Sequence, residues 1–159
     1  MNKQTGFKVL VLAAVLTTGV ATVPTNASAA KWHKGTPKVI RGTYQGKRTS
    51  AAEGFGYVYK VTSKSFIQQY SNMSQEKTTK LKYKKLKGHT YRLVGHTQKR
   101  GMVLGGKFDS VVYQKGHKLS LDTYKSYKKH GYKYLKRQLK KNPAKLTKKI
   151  KSNGRIVKD

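Results

Sequence analysis

The sequence predicts an all-β fold, an antiparallel barrel of about seven or eight strands followed by a short basic helical tail. Three observations predict it. From Pro37 to Asp122 apolar residues recur at alternate positions in short segments, with polar or glycine-bearing breaks at the spacing of about 8 to 12 residues expected of a closed antiparallel sheet. Tyrosine, which suits a half-buried pleated surface, is over-used, with 11 copies against 4 phenylalanines and 1 tryptophan. After Asp122 the alternation gives way to helix starts and stops.

Residues 1–29 read as a secretory signal peptide: Lys3 and Lys8, the apolar run Val9 to Leu16, and the small-residue site Ala27-Ser28-Ala29. Thr17, Thr18 and Gly19 interrupt the run well short of the ~20 apolar residues of a membrane-spanning helix. Cleavage is expected after Ala29 or Ala30, which makes the mature protein extracellular.

Residues 30–122 form the expected barrel domain. Pro37 stands where a missing N–H is tolerated, and the first strand puts Ile40, Gly42 and Tyr44 on one face and Val39, Arg41 and Thr43 on the other. Phe55, Tyr57, Tyr59 and Val61 make the strongest single face, and Thr62 to Ser65 turns it into a hairpin with Phe66 to Tyr70. Ile40, Tyr44, Phe55, Tyr57, Tyr59 and Val61 are therefore the candidate barrel interior. After the polar stretch Ser71 to Glu76, Leu81 and Tyr83 alternate with lysines until Lys84-Lys85 breaks the parity before Leu86, which suggests a bulge. Lys87-Gly88-His89 is a turn, Tyr91, Leu93 and Gly95 share a strand face, and Gln98 to Gly101 is the next turn. Met102 and Leu104 share a face up to Gly105-Gly106, whose glycines predict a bend or a close backbone approach. Val111 to Tyr113 and Leu119 to Leu121 complete the series around Lys115-Gly116.

Residues 123–159 read as a cationic helical tail. Asp122 or Thr123 caps a helix carrying Tyr124 and Tyr127, Gly131 ends it, Tyr132 to Lys141 forms a second, and Asn142-Pro143 opens a third. Its aliphatic stripe, Leu135, Leu139, Leu146 and Ile150, is too thin for an independent core.

The chain has 36 lysines and arginines against 5 acids, a formal net charge of +31. Solubility of a small domain needs a net charge of only about 2 to 8, so an excess this large points to anionic partners. With no cysteine, neither a disulfide framework nor a lipidated cysteine is available. Outside a cell the abundant polyanions are wall phosphate polymers, anionic glycans, anionic lipid surfaces and shed nucleic acid, the last bound without sequence preference. The candidate polyanion-binding residues are Lys82, Lys84, Lys85 and Lys87, and in the tail Lys133, Lys136, Arg137, Lys140, Lys141, Lys145, Lys148 and Lys149. Retention at the cell wall by charge and a monomeric state are the accompanying expectations. A membrane-active role for the tail is a further alternative, although its stripe lacks tryptophan and phenylalanine.

Lys-Trp-His-Lys-Gly-Thr-Pro at Lys31 to Pro37, Arg-Gly-Thr-Tyr at Arg41 to Tyr44, and the stretch Tyr57 to Tyr70 resemble small basic secreted proteins of lactic-acid bacteria with a lipocalin-like β-barrel. In lipocalins the first strand carries Gly-x-Trp, whose ring closes one barrel end beneath an arginine from a late strand. Here Gly42-Thr43-Tyr44 takes that place, with tyrosine for tryptophan. The resemblance implies a lipocalin-like barrel and secretion and carries over no function; a carrier of a small apolar ligand inside the barrel is the alternative motivated by the face Phe55, Tyr57, Tyr59 and Val61 together with the lipocalin-like start.

Catalysis is not expected. The acids before the C-terminus are Glu53, Glu76, Asp109 and Asp122, and nothing in the sequence pairs two of them across a cleft. No Gly-x-Ser-x-Gly elbow occurs, and Gly105-Gly106-Lys107 lacks the spacing of a phosphate loop. His89 and His96 would fall on opposite faces of one strand, which argues against a shared metal; no cofactor is expected.

Overall fold

The computed structural model describes residues 31–48, 51–152 and 155–157; the expected signal peptide lies outside them. The described strands are β1 His33–Lys34, β2 Gly42–Gln45, β3 Tyr57–Val61, β4 Phe66–Tyr70, β5 Glu76–Lys85, β6 Thr90–Thr97, β7 Gly106–Lys115, β8 Lys118–Thr123, β9 Ala144–Thr147, β10 Ile150–Ser152 and β11 Arg155–Val157. The helix α1, Tyr124–Lys141, joins β8 to β9. Strands β2 to β9 form a closed antiparallel barrel of eight strands, because the sheet order β5-β4-β3-β2-β9-β8-β7-β6 is completed by pairing of β5 with β6. Closure pairs each of these eight strands on both sides over at least part of its length. The short β1 lies along the outer half of β5, with His33 opposite Tyr83.

Pleat parity explains the core. Tyr44 pairs with Tyr59 and Gly42 with Val61, so these residues point inward together, and Phe66 opposite Val61 extends the layer into β4. The core cluster continues through Leu81, Leu93, Phe108, Val112, Leu119 and Ala144. Tyr44 of the Gly42-Thr43-Tyr44 segment is buried in this core. Arg92 of β6 pairs with Val111, which packs outside the barrel in the helix cluster. The Arg92 guanidinium bonds the Asp109 carboxylate outside the barrel.

Four expectations are revised. Ile40 reaches the core from a 3-10 turn, Lys38–Ile40, rather than from the first strand. Pro37 starts that turn, where Ile40 N–H donates to the Pro37 carbonyl at 3.2 Å. Phe55 is half-buried but outside the core cluster: Gly54 and Gly56 take φ of 57° and 70°, so the strand starts afresh at Tyr57 and the parity counted from Phe55 does not carry in. The bulge in β5 lies between Thr79 and Lys82, where Lys80 has φ 52°, rather than at Lys84-Lys85. Met102 and Leu104 stand in the loop between β6 and β7, both exposed, instead of on a strand face. At the end of that loop the close approach expected of Gly105 is present, since a Cβ there would sit 2.8 Å from the Lys99 backbone nitrogen.

The largest revision concerns the tail. Asn142-Pro143 begins no third helix; the chain extends as β9, which slots between β2 and β8 and closes the barrel. Ala144 pairs with Leu119, and Leu146 with Tyr44. Pro143 has no N–H to donate, so the β8–β9 ladder stops at Ala144 and leaves Ser120 to Thr123 without a partner on that side among the described pairings. The segment 123–159 is thus partly a wall of the barrel.

Candidate polyanion interface

Local chemistry fixes where the helix begins. Thr123 Oγ accepts from the Ser126 N–H at 3.1 Å, and the Asp122 carboxylate accepts from Thr123 N–H and Ser126 O–H, each at 2.7 Å. This is an N-cap backed by an acid at the positive end of the helix dipole. Gly131, with φ 71°, bends the helix into two segments. The second segment is docked by Leu135 and Leu139, both buried against Val111 and Tyr113 of β7. Tyr132 meets Tyr113 edge-on, with ring centroids 5.5 Å apart. Burial and the neighbouring Tyr132 hydroxyl push the Tyr113 phenol up to about 12. The Asn142 N–H donates to the Gln138 carbonyl at 2.9 Å and closes the last turn.

Opposite the docked face, Lys133, Lys136, Arg137, Lys140 and Lys141 are all exposed. Their spacing of three and four residues places them on one side of two helical turns. Five like charges on one face repel, by a few tenths of a kcal/mol for each i,i+4 pair. Lys136 is partly accommodated by the Tyr132 ring, 5.8 Å from its Nζ. The stripe costs stability, and packing of Leu135 and Leu139 beneath it offsets that cost.

The other sequence-predicted cations fall into two places. Lys145 is exposed on β9 directly opposite Lys118 of β8, a cation that the sequence reading did not include; Lys148 and Lys149 follow in the exposed turn. Lys82, Lys84, Lys85 and Lys87 belong to β5 and its turn, with β6 and β7 between them and β8. That turn nevertheless reaches the helix. Leu86 packs in the helix cluster, and a Cβ on Gly88 would lie 3.1 Å from the Tyr132 hydroxyl, so the turn that carries Lys87 meets the helix at Tyr132. Lys84 is held over Trp32, its Nζ 5.2 Å from the ring, beside Arg92, which lies 3.5 Å from the Tyr124 ring.

The acids are occupied separately. Asp109 forms a bidentate pair with Arg92, Glu76 accepts from the Gln68 amide at 2.9 Å, and Asp122 serves the helix cap. Among the described residues no group of three or more His, Asp or Glu is placed to hold a metal ion, and no helix is long and apolar enough to cross a membrane.

Of the candidate interior, Ile40, Tyr44, Tyr59 and Val61 are buried in the core, and Tyr57 packs against it from the barrel mouth. Two clefts open there, of about 530 and 320 Å³, sharing Tyr57, Tyr70 and Asn142. No protein-family model matches the chain, and no curated protein or solved structure is significantly similar to it.

Proposed function

We propose that this is a secreted, non-catalytic protein that binds extracellular polyanions, foremost the phosphate-rich polymers of a cell wall. The observation that carries the reading is the exposed stripe Lys133, Lys136, Arg137, Lys140 and Lys141, five cations on one face of a docked helix with no acid among them. Such a face destabilises the free protein and is favourable against a chain of regularly spaced anions, whose counterions it displaces. Elsewhere on the barrel, the exposed Lys87 and the cross-strand pair Lys118 and Lys145 add to the basic surface. The leader sequence supports export, and the resemblance to small basic secreted proteins agrees with it.

Binding to purified wall fragments across a salt series, before and after extraction of their phosphate polymers, tests the proposal. A steep salt dependence that disappears on extraction is expected. Equal binding to extracted and intact fragments would refute the assignment of phosphate polymers.

The carrier alternative, read as a ligand held deep inside the barrel, is not favoured. Tyr44, Phe66, Leu93, Val112 and Leu119 fill the barrel interior, so a small apolar ligand is confined to the mouth beside Tyr57 and Tyr70.

A further inference from the structure

We infer that the loop end of the barrel is a second docking surface, built to sit in the interface of an anionic lipid bilayer. The three most exposed large apolar side chains described are Leu104, Met102 and Met73, at 88%, 79% and 59% exposure. They lie on two separate loops yet line one shallow cleft of about 340 Å³. Scattered apolar residues on a surface are ordinary, whereas a shared apolar lip marks an interaction surface.

The lip is held in shape. Arg100 N–H donates to the Val103 carbonyl at 3.0 Å and Val103 N–H returns to Arg100 at 2.9 Å, so Gly101 and Met102 form the tip of a closed turn. Gly101, with φ 55°, lets this turn lie against the other loop; a Cβ there would be 3.1 Å from Ser74 Oγ. The apolar side chains are thereby presented without ordering a loose loop on binding.

Charge selects the occupant. Lys77, Lys99, Arg100 and Lys107 are exposed around the lip, four cations against the single acid lining the cleft, Glu76, whose carboxylate accepts from the Gln68 amide at 2.9 Å. An apolar tip ringed by cations matches the boundary between acyl chains and anionic headgroups, where each component reinforces the other. A soluble polyanion would engage the cations and leave Met102 and Leu104 in water. This surface is distinct from the helix stripe and does not depend on it.

The chain has no cysteine, so a single introduced thiol carries a polarity-sensitive dye without competition. With the chain from Lys31 onward, Leu104→Cys labelled in this way should brighten on addition of vesicles of phosphatidylglycerol and phosphatidylcholine, and stay dim with phosphatidylcholine alone. Lys136→Cys, labelled identically on the stripe, should stay dim with both. The double variant Met102→Ser with Leu104→Ser, its fold checked by circular dichroism, should lose about tenfold or more in co-sedimentation with the anionic vesicles while still binding wall polymer. Failure to co-sediment would overturn the inference. So would co-sedimentation with the dye at position 104 unchanged, which would mean adsorption through charge alone. Neither result bears on wall-polymer binding by the stripe, which the extraction experiment decides.

Discussion

Neutralising the stripe isolates its contribution. The variant Lys133→Gln, Lys136→Gln, Arg137→Gln, Lys140→Gln and Lys141→Gln removes five charges from exposed positions and leaves Leu135 and Leu139 in place. From residue 133 to 141 the helix rises about 12 Å, comparable to the Debye length of about 8 Å at physiological ionic strength, so the cations act as one site. Each phosphate neutralised on a single-stranded polyanion contributes about 0.7 to the slope of log affinity against log salt; five contacts give about 3.5. Over a fourfold rise in salt, that slope corresponds to roughly 100-fold in affinity. The native chain should therefore lose about 100-fold more affinity for labelled polyphosphate between 50 and 200 mM salt than the variant does. Fluorescence anisotropy titrations at several salt concentrations measure both slopes. Removing like-charge neighbours should leave the unfolding midpoint unchanged or slightly raised. Parallel slopes for the two proteins, with both folded, would refute the claim that the stripe is the polyanion site.

Two further outcomes test the support beneath it. Leu135→Ala, at a fully buried position, should cost about 2–5 kcal/mol in urea unfolding, and an unchanged midpoint would mean that the second helical segment is not docked as described. The Tyr113 phenol, raised from 10.0 to about 12 in the fold, binds its proton more tightly folded than unfolded. Its contribution is complete below pH of about 10 and is lost as pH rises through about 12, so urea midpoints should fall across that window and Tyr113→Phe should flatten the fall. Tyr44, Tyr57, Tyr59, Tyr91 and Tyr127 are shifted in the same direction by burial, so the decline should be reduced by the substitution rather than abolished.

Alternation was enough to read the barrel, because Tyr57, Tyr59 and Val61 of β3 and Tyr91 and Leu93 of β6 reach the core cluster in the order that pleat parity gives. It failed where backbone geometry intervenes. Gly54 and Gly56 detach Phe55 from β3, and Lys80 in a positive-φ conformation moves the bulge of β5 ahead of the place where the lysine run suggested it. Met102 and Leu104 have the spacing of a strand face, but Arg100 and Val103 bond each other in a closed turn, and among the described pairings neither Met102 nor Leu104 has a partner strand. The cation stripe was legible residue by residue. That the face shared by all five cations is turned to solvent depends on Leu135 and Leu139 fixing the helix rotation, and that the Lys87 turn meets the helix depends on the contact of Gly88 with Tyr132.

Least legible was β9. Ala144-Lys145-Leu146-Thr147 is short, carries a cation and follows Asn-Pro, a good helix start by local criteria. Its conformation is set by the vacancy between β2 and β8, a non-local demand: once β2 to β8 have curled round, the two outer strands lie about two strand spacings apart, and only another strand satisfies both ladders. This changes the meaning of the basic segment that precedes it. A free cationic tail could be lengthened, shortened or lost without consequence for the barrel. Here the helix is held at one end by the Thr123 cap after β8 and at the other by the pairing of Ala144 with Leu119, while its inner face is packed on β7. The like charges of the stripe are consequently held in register by the closure of the barrel itself. The same pairing that completes the barrel also anchors the far end of the helix on which Lys133, Lys136, Arg137, Lys140 and Lys141 are presented to solvent.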